Sequence, residues 1–165
     1  MVSREVTVYV HYGCTAEEFS ADCFRKIKNN PPFAKPTGGF WGSPTQAAFG
    51  WIDFCRREEY VPPSGLHKKF CFFLQPEAQI IQIRSGEDFD LLPKLEKTVD
   101  FPFEEIHLID FEECCRCGID AIEYCYSAIP RNDTLGDEMN QKMRGWDCDS
   151  ILVMNPQIIQ PLYES

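Results

Sequence analysis

The chain has 165 residues, of which 44 % are hydrophobic and 13 % aromatic, so it can form a sizeable core and is not expected to be disordered. Its net charge of −10 disfavours binding to a nucleic-acid backbone, although one compact nucleotide can still bind in a locally neutral or basic pocket. No apolar run has the length of a membrane span, and the N-terminal residues lack the pattern of a secretory signal. We therefore expect a single cytoplasmic domain over residues 1–165 with no membrane partner.

Hydrophobic periodicity and turn residues predict the secondary structure in chain order. The predicted elements are a strand over 5–12, a helix over 15–28, a short strand over 40–43, a helix opening at 43–45, strands over 69–74 and 78–84, a short helix over 88–95, a helix or strand over 104–113, a strand after residue 118, a polar surface loop with a possible helical turn over 131–144, and a final strand over 151–154. Strands with little regular helix between them do not fit a doubly wound sheet. The order favours an α+β fold with two small β-sheets packed against each other and flanking helices.

Nine cysteines are present, and an odd number without a secretory signal argues against a disulfide framework. The only cluster is Cys114, Cys115 and Cys117, and a zinc site there would need His107 or Cys125 as a further ligand. Free and mostly buried thiols are therefore the preferred interpretation, and no metal site is predicted.

Three stretches carry residue types suited to binding chemistry. They are Tyr9-Val-His-Tyr-Gly13, Gly38-Gly-Phe-Trp-Gly-Ser43 with Ala47, Trp51, Phe54 and Cys55 after it, and Trp146-Asp-Cys-Asp-Ser-Ile-Leu-Val-Met-Asn-Pro156. In this order they resemble the three signature regions of the ADP-ribosyltransferase superfamily, which includes the poly(ADP-ribose) polymerases and many bacterial toxins. The first resembles a strand that ends in a His-Gly pair, the second a strand followed by a Ser-initiated helix, and the third a strand that ends in Asn-Pro. Gly118-Ile-Asp-Ala-Ile122 is a minor fourth similarity to toxin-like members.

The resemblance implies an ADP-ribosyltransferase-like fold and a glycosyltransferase reaction with NAD as substrate. Such an enzyme cleaves the bond between nicotinamide and ribose and passes ADP-ribose to an acceptor protein or small molecule, or to water as an NAD glycohydrolase. The NAD-binding residues that the resemblance implies are His11, Tyr12, Gly13, Trp41, Gly42, Ser43, Trp51, Phe54 and Ser150. Tryptophan faces suit a flat cationic pyridinium ring, which they bind by stacking and cation–π attraction.

The third stretch departs from the family at the catalytic position, because Ser150 stands where the family has a glutamate. Asp147 and Asp149 resemble the E-x-E pair of arginine-modifying members, so Asp149 is the predicted catalytic carboxylate and Asp147 the predicted acceptor-handling group. Adjacent strand residues face opposite sides of a sheet, so Asp149 reaches the Ser150 position only through a β-bulge or a register shift. Glu123 is a rival carboxylate.

Two other hypotheses remain open at this point. The chain can be a catalytically inactive ADP-ribosyltransferase-like module that binds NAD, a related nucleotide or a protein partner. It can also be an unrelated α+β protein, in which case no cleft is expected between the strand of His11 and the strand of Trp41.

Overall fold

The computed structural model describes residues 5–101, 104–130 and 134–163, which alternate short strands with a few short helices. The strands are β1 Tyr9–Tyr12, β2 Phe40–Pro44, β3 Lys69–Leu74, β4 Ile80–Ile83, β5 Lys94–Phe101, β6 Glu104–Ile109, β7 Ala121–Tyr124, β8 Ser150–Val153 and β9 Ile159–Leu162. The α-helices are α1 Trp51–Arg57, α2 Gly86–Asp90, α3 Phe111–Arg116 and α4 Thr134–Lys142, and 3-10 turns occur at Ala21–Cys23, Tyr126–Ala128 and Pro156–Ile158.

Seven strands form one sheet in the order β4-β7-β8-β2-β1-β3-β9, and β5 and β6 form a separate hairpin. All neighbours are antiparallel except β4 and β7. The predicted α+β class is confirmed, with two sheets of unequal size. The large sheet has two halves, and in the described residues β1 and β2 join them where Tyr9 pairs with Pro44 and Val10 with Ser43.

The two faces of the large sheet carry separate hydrophobic clusters, because alternate residues of each strand point to opposite faces. Tyr9, Phe40 and Phe72 belong to one cluster together with Ile151 and Val153. The alternate residues of the same strands point to the opposite face of the sheet. There, residues of α2, α3 and α4 pack on β7 and β8 and form the second cluster. Its larger members include Phe89, Phe111, Tyr124, Met139, Met143, Trp146 and Leu152, with Trp41 packed against them.

The predicted helix over residues 15–28 is wrong, since the structure has one turn after Thr15 and a 3-10 turn at Ala21–Cys23. Phe19 and Phe24 both pack on Phe40, with ring centroids 5.6 Å and 4.9 Å away. An α-helix would point two residues five positions apart about 140° away from each other. Burial of both rings on the same aromatic cluster therefore takes precedence over the local helix signal.

The predicted helix at residues 43–45 begins later than expected, at Trp51. Ser43 and Pro44 instead continue β2, where they pair with β1. The serine still caps the helix across the intervening loop, because Trp51 N donates to Ser43 Oγ over 3.0 Å. Asp53 Oδ2 accepts from Gly50 N at 2.9 Å and completes the helix start.

Other expected elements are recovered with shifted ends. The strands predicted over 40–43, 69–74 and 78–84 correspond to β2, β3 and β4, and the 104–113 segment divides into β6 and the start of α3. The polar loop predicted over 131–144 is largely α4, whereas residues 131–133 lie outside the described residues. Met139 in α4 and Met143 just after its end are both buried in the core. The predicted final strand is followed by one more strand, β9.

No helix within residues 5–101, 104–130 and 134–163 is long and apolar enough to cross a membrane. The cysteine side chains that the structure describes are free thiols, and Cys55, Cys114 and Cys148 are buried. No group of three metal-binding side chains occurs in the same part of the chain.

Candidate ligand-binding site

A pocket of about 620 Å³ opens where β1 and β2 separate. Backbone pairing between these strands stops at Val10 and Ser43, so the ends that carry Tyr12 and Trp41 are no longer hydrogen-bonded to each other. The lining residues are Val10, Tyr12, Lys35, Trp41, Gly42, Ser43, Trp51, Phe54, Glu58, Tyr60, Pro62, Ser64, Gly145, Trp146, Asp147, Cys148 and Ser150. The hypothesis of an unrelated α+β protein had predicted no cleft between the strand of His11 and the strand of Trp41, and this pocket lies between those two strands.

Aromatic side chains dominate the wall that α1 and the following loop provide. The rings of Trp51 and Phe54 are stacked, with centroids 5.4 Å apart and planes inclined by 15°. Tyr60 meets Trp51 edge-on at 6.0 Å. A second pair, Trp41 and Trp146, lines another part of the pocket with centroids 4.7 Å apart. Flat aromatic faces of this kind bind a planar ring by stacking.

Ser150 and Cys148 give the β8 side of the pocket two uncharged polar groups. Ser150 is 7 % exposed, and its Oγ donates to the backbone oxygen of Cys148 over 3.1 Å. Burial raises the pKa of the Cys148 thiol to about 12, so this sulfur is protonated at neutral pH and is a poor nucleophile. The carboxylates among the pocket-lining residues are Glu58 and Asp147.

Asp149, the predicted catalytic carboxylate, does not line the pocket. Its Oδ1 accepts from Ser127 N at 2.8 Å, and its Oδ2 accepts from Ser127 Oγ at 2.5 Å and Phe49 N at 3.1 Å. The pairing of β8 with β7 is regular from Ser150 onwards, so no bulge brings Asp149 to the Ser150 position. The side chain joins the loop at Phe49 to the 3-10 turn Tyr126–Ala128.

His11 and Gly13 also lie outside the pocket lining, although both are next to it. The imidazole stacks on Phe40 at 4.0 Å, and its Nδ1 lies 2.6 Å from the backbone oxygen of Trp41. Because a carbonyl only accepts, Nδ1 carries the proton. His11 thus satisfies a β2 carbonyl that is left free where β1 and β2 separate. The backbone amide of Gly13, another predicted NAD-binding residue, donates to Lys68 O at 2.9 Å.

This role for His11 predicts a pH dependence of stability. Partial burial of the ring lowers the pKa of His11 in the folded protein, so the unfolded chain binds the proton more readily. The contribution of His11 is therefore fully present above its unfolded pKa, about 6.5, and is lost as pH falls through the lower folded value. Urea unfolding of wild type and His11→Gln at pH 7.5 and 5.5 checks this. The wild type should lose more stability than the variant between the two pH values, and equal losses would contradict the assignment.

The pocket therefore unites most of the predicted site residues. Tyr12, Trp41, Gly42, Ser43, Trp51, Phe54, Asp147 and Ser150 line it, whereas His11, Gly13 and Asp149 do not. The rival Glu123 is not among the lining residues either; it accepts from Tyr9 Oη at 3.3 Å and from Gln82 Nε2 at 2.8 Å.

Nine lining residues were not among the predicted site residues. They are Val10, Lys35, Glu58, Tyr60, Pro62, Ser64, Gly145, Trp146 and Cys148. Trp146 has a readable signal, because it immediately precedes the acidic pair of the third stretch. Lys35 lies in a Pro- and Gly-rich connection whose local sequence gives no sign of a contact with β8.

The chain matches no family model, no curated protein and no solved structure in these three comparisons.

Proposed function

We propose that this chain binds NAD, or a related nucleotide with a flat heteroaromatic ring, in the pocket between β1 and β2 and holds it without cleaving it. The observation that carries the proposal is the convergence of Tyr12, Trp41, Trp51 and Ser150 on one pocket. These residues come from three separate sequence stretches, and Tyr12 and Ser150 lie more than 100 positions apart. The resemblance to ADP-ribosyltransferases had predicted all of them as NAD-binding residues.

The ring of the ligand is best placed at Trp51. The ammonium of Lys35 lies 5.0 Å from the centroid of Trp41, so a cation already occupies a face of that indole. A cationic pyridinium would be repelled there. The described cation–π contacts leave Trp51 and Tyr60 without a cation, whereas the Arg57 guanidinium lies 5.7 Å from the Phe54 centroid. The Glu58 carboxylate, which pairs with Arg57 at 2.7 Å, lines the pocket just after the same helix. A positively charged ring is therefore favoured on the α1 side.

Binding without cleavage is proposed because β8 carries no carboxylate between Ser150 and Val153. Loss of nicotinamide leaves a positively charged, oxocarbenium-like ribose, which a nearby carboxylate must stabilise. Ser150 supplies a hydroxyl at the position where a glutamate would be expected, and Asp149 is bonded to Ser127 and Phe49 outside the pocket lining. The chain thus keeps aromatic binding surfaces without a carboxylate on the β8 strand.

A second candidate function is the ADP-ribosyltransferase or NAD glycohydrolase reaction, with Asp147 as the carboxylate. It is favoured by one observation: Asp147 lines the pocket and is exposed. Among the residues that the structure describes, its carboxylate has no hydrogen bond or ion pair, so it is available to a ligand.

Titration with NAD, followed by tryptophan fluorescence, tests the proposal, because all the tryptophans of the chain line the pocket. We expect saturable quenching and no nicotinamide release above the buffer rate. Trp51→Ala should weaken binding about tenfold through loss of the stacking surface. Tyr163→Ala is the matched control, since Tyr163 is 66 % exposed and outside the pocket, and it should bind like wild type.

The remaining outcomes separate the two functions. Nicotinamide release that Asp147→Asn abolishes would establish the second candidate in place of binding alone. Absence of quenching at millimolar NAD would reject both functions, and equal affinity of Trp51→Ala and wild type would reject the assigned position of the ring.

A further inference from the structure

Among the pocket-lining residues in the described part of the chain, Lys35 is the only one with a basic side chain. Its backbone is held at the pocket wall, because the neighbouring carbonyl of Ala34 accepts from Trp146 Nε1 at 3.1 Å. Its methylene stem runs beside Gly145, where a Cβ would lie 3.7 Å from Lys35 Cε. The ammonium thus enters the pocket on a stem that is supported from two sides.

This ammonium lacks an acceptor in the described part of the chain. No hydrogen bond or ion pair is formed by Lys35 there, and the nearby Asp147 influences it only at a longer distance than an ion pair. Burial lowers the pKa of Lys35, which means that the charged form has lost part of its hydration. A cation that has lost water without gaining an acceptor interacts strongly with an anion that enters the same pocket.

We propose that Lys35 is the phosphate-binding residue of the pocket and that its ammonium binds a phosphate oxygen of the ligand. The inference deepens the proposed nucleotide-binding function and rests on it for the choice of ligand. It also gives the pocket two ends, with the flat ring on Trp51 and the phosphate at Lys35 beside Trp41 and Asp147.

The alternative is a purely structural lysine that packs on Trp41. Such a lysine would stabilise the indole through its stem and its charge, and phosphate on a ligand would make no difference to it. The two roles are therefore distinguished by ligands that differ only in phosphate.

Nicotinamide mononucleotide and nicotinamide riboside form this matched pair, because they differ by one phosphate group. At constant ionic strength we expect wild type to bind the mononucleotide at least tenfold more tightly than the riboside. Lys35→Met keeps an apolar stem of similar length and should bind the two ligands equally. Lys97→Met removes the same charge from an exposed residue of the β5–β6 hairpin and should retain the wild-type preference.

Inorganic pyrophosphate separates failure of this inference from failure of the proposed function. Saturable pyrophosphate binding that Lys35→Met weakens tenfold, without any binding of NAD or the mononucleotide, supports Lys35 and rejects the nicotinamide nucleotide. Equal affinity of wild type for mononucleotide and riboside overturns the role of Lys35 but leaves the proposed function standing. A phosphate preference that persists in Lys35→Met also overturns it, as does the absence of binding to any phosphate compound.

The neighbouring carboxylate provides an independent measurement. Asp147 attracts the same ammonium that the phosphate uses, so Asp147→Asn should strengthen mononucleotide binding severalfold and leave riboside binding unchanged. Unchanged or weaker mononucleotide binding in Asp147→Asn would count against the proposal.

Discussion

Asp149→Ala should lower the free energy of unfolding by about 2–4 kcal/mol, one of the larger effects available to a single substitution in this chain. Asp149 is 7 % exposed, and its carboxylate accepts from the backbone N–H of Phe49, the backbone N–H of Ser127 and the Ser127 hydroxyl. Alanine leaves all three donors without this acceptor, and buried or half-buried donors that lose their acceptor are costly. The loops of residues 49 and 127 also lose the side chain that joins them.

Urea unfolding followed by circular dichroism measures this effect, and Asp147→Ala is the matched control. Asp147 is exposed and has no described hydrogen bond, so its removal should change stability by less than about 0.5 kcal/mol. Similar small losses for both variants would show that the Asp149 bonds contribute little. A loss of activity in Asp149→Ala would therefore identify a catalytic group only if the variant is shown to be folded at the assay temperature.

The strands that the sequence predicted best are those buried within the large sheet. Their apolar residues form continuous or alternating runs, as in Lys69–Leu74 and Ser150–Val153, and such runs have few alternative structures. The segment after Thr15 has a local helix signal but forms no α-helix, because Phe19 and Phe24 both pack on Phe40. That contact is formed by residues distant in sequence, so no local pattern contains it.

The site was predictable where its residues stand on strands. Alternate residues of a strand point to the same face, which places Trp41 and Ser43 of β2 and Ser150 of β8 on the pocket side. The same alternation predicted from the sequence that Asp149 faces the other side. Strand alternation does not apply to residues in the loops between strands, so their positions at the pocket could not be predicted. Lys35 reaches the pocket because Trp146, more than 100 positions later, holds the backbone of Ala34, and this bond has no counterpart in local sequence.

Ser150→Glu is expected to convert binding into cleavage, with nicotinamide release from NAD on the order of 100-fold above wild type. Ser150 begins β8 with its side chain at the pocket, so a longer acidic side chain there extends into the space that the ligand occupies. A carboxylate in that space stabilises the positive charge that develops on ribose as nicotinamide leaves. Release is measured by chromatography at saturating NAD.

Ser150→Gln is the control for this substitution, because it has nearly the same shape and also loses the hydrogen bond from Ser150 Oγ to Cys148 O. That loss costs both variants about 1 kcal/mol, so a difference in release between them reports on the charge. Equal release from the two variants would contradict the proposed position of the ribose.

Lys35 adds a competing interaction, since the introduced carboxylate can pair with the only basic side chain that lines the pocket. Combining Ser150→Glu with Lys35→Met removes this competitor and should raise kcat, because the free carboxylate is available to the developing cation. The same double variant should have a higher KM for NAD, because the phosphate has lost its ammonium. A fall in kcat with an unchanged KM would mean that Lys35 acts on the ribose end of the ligand and not on its phosphate.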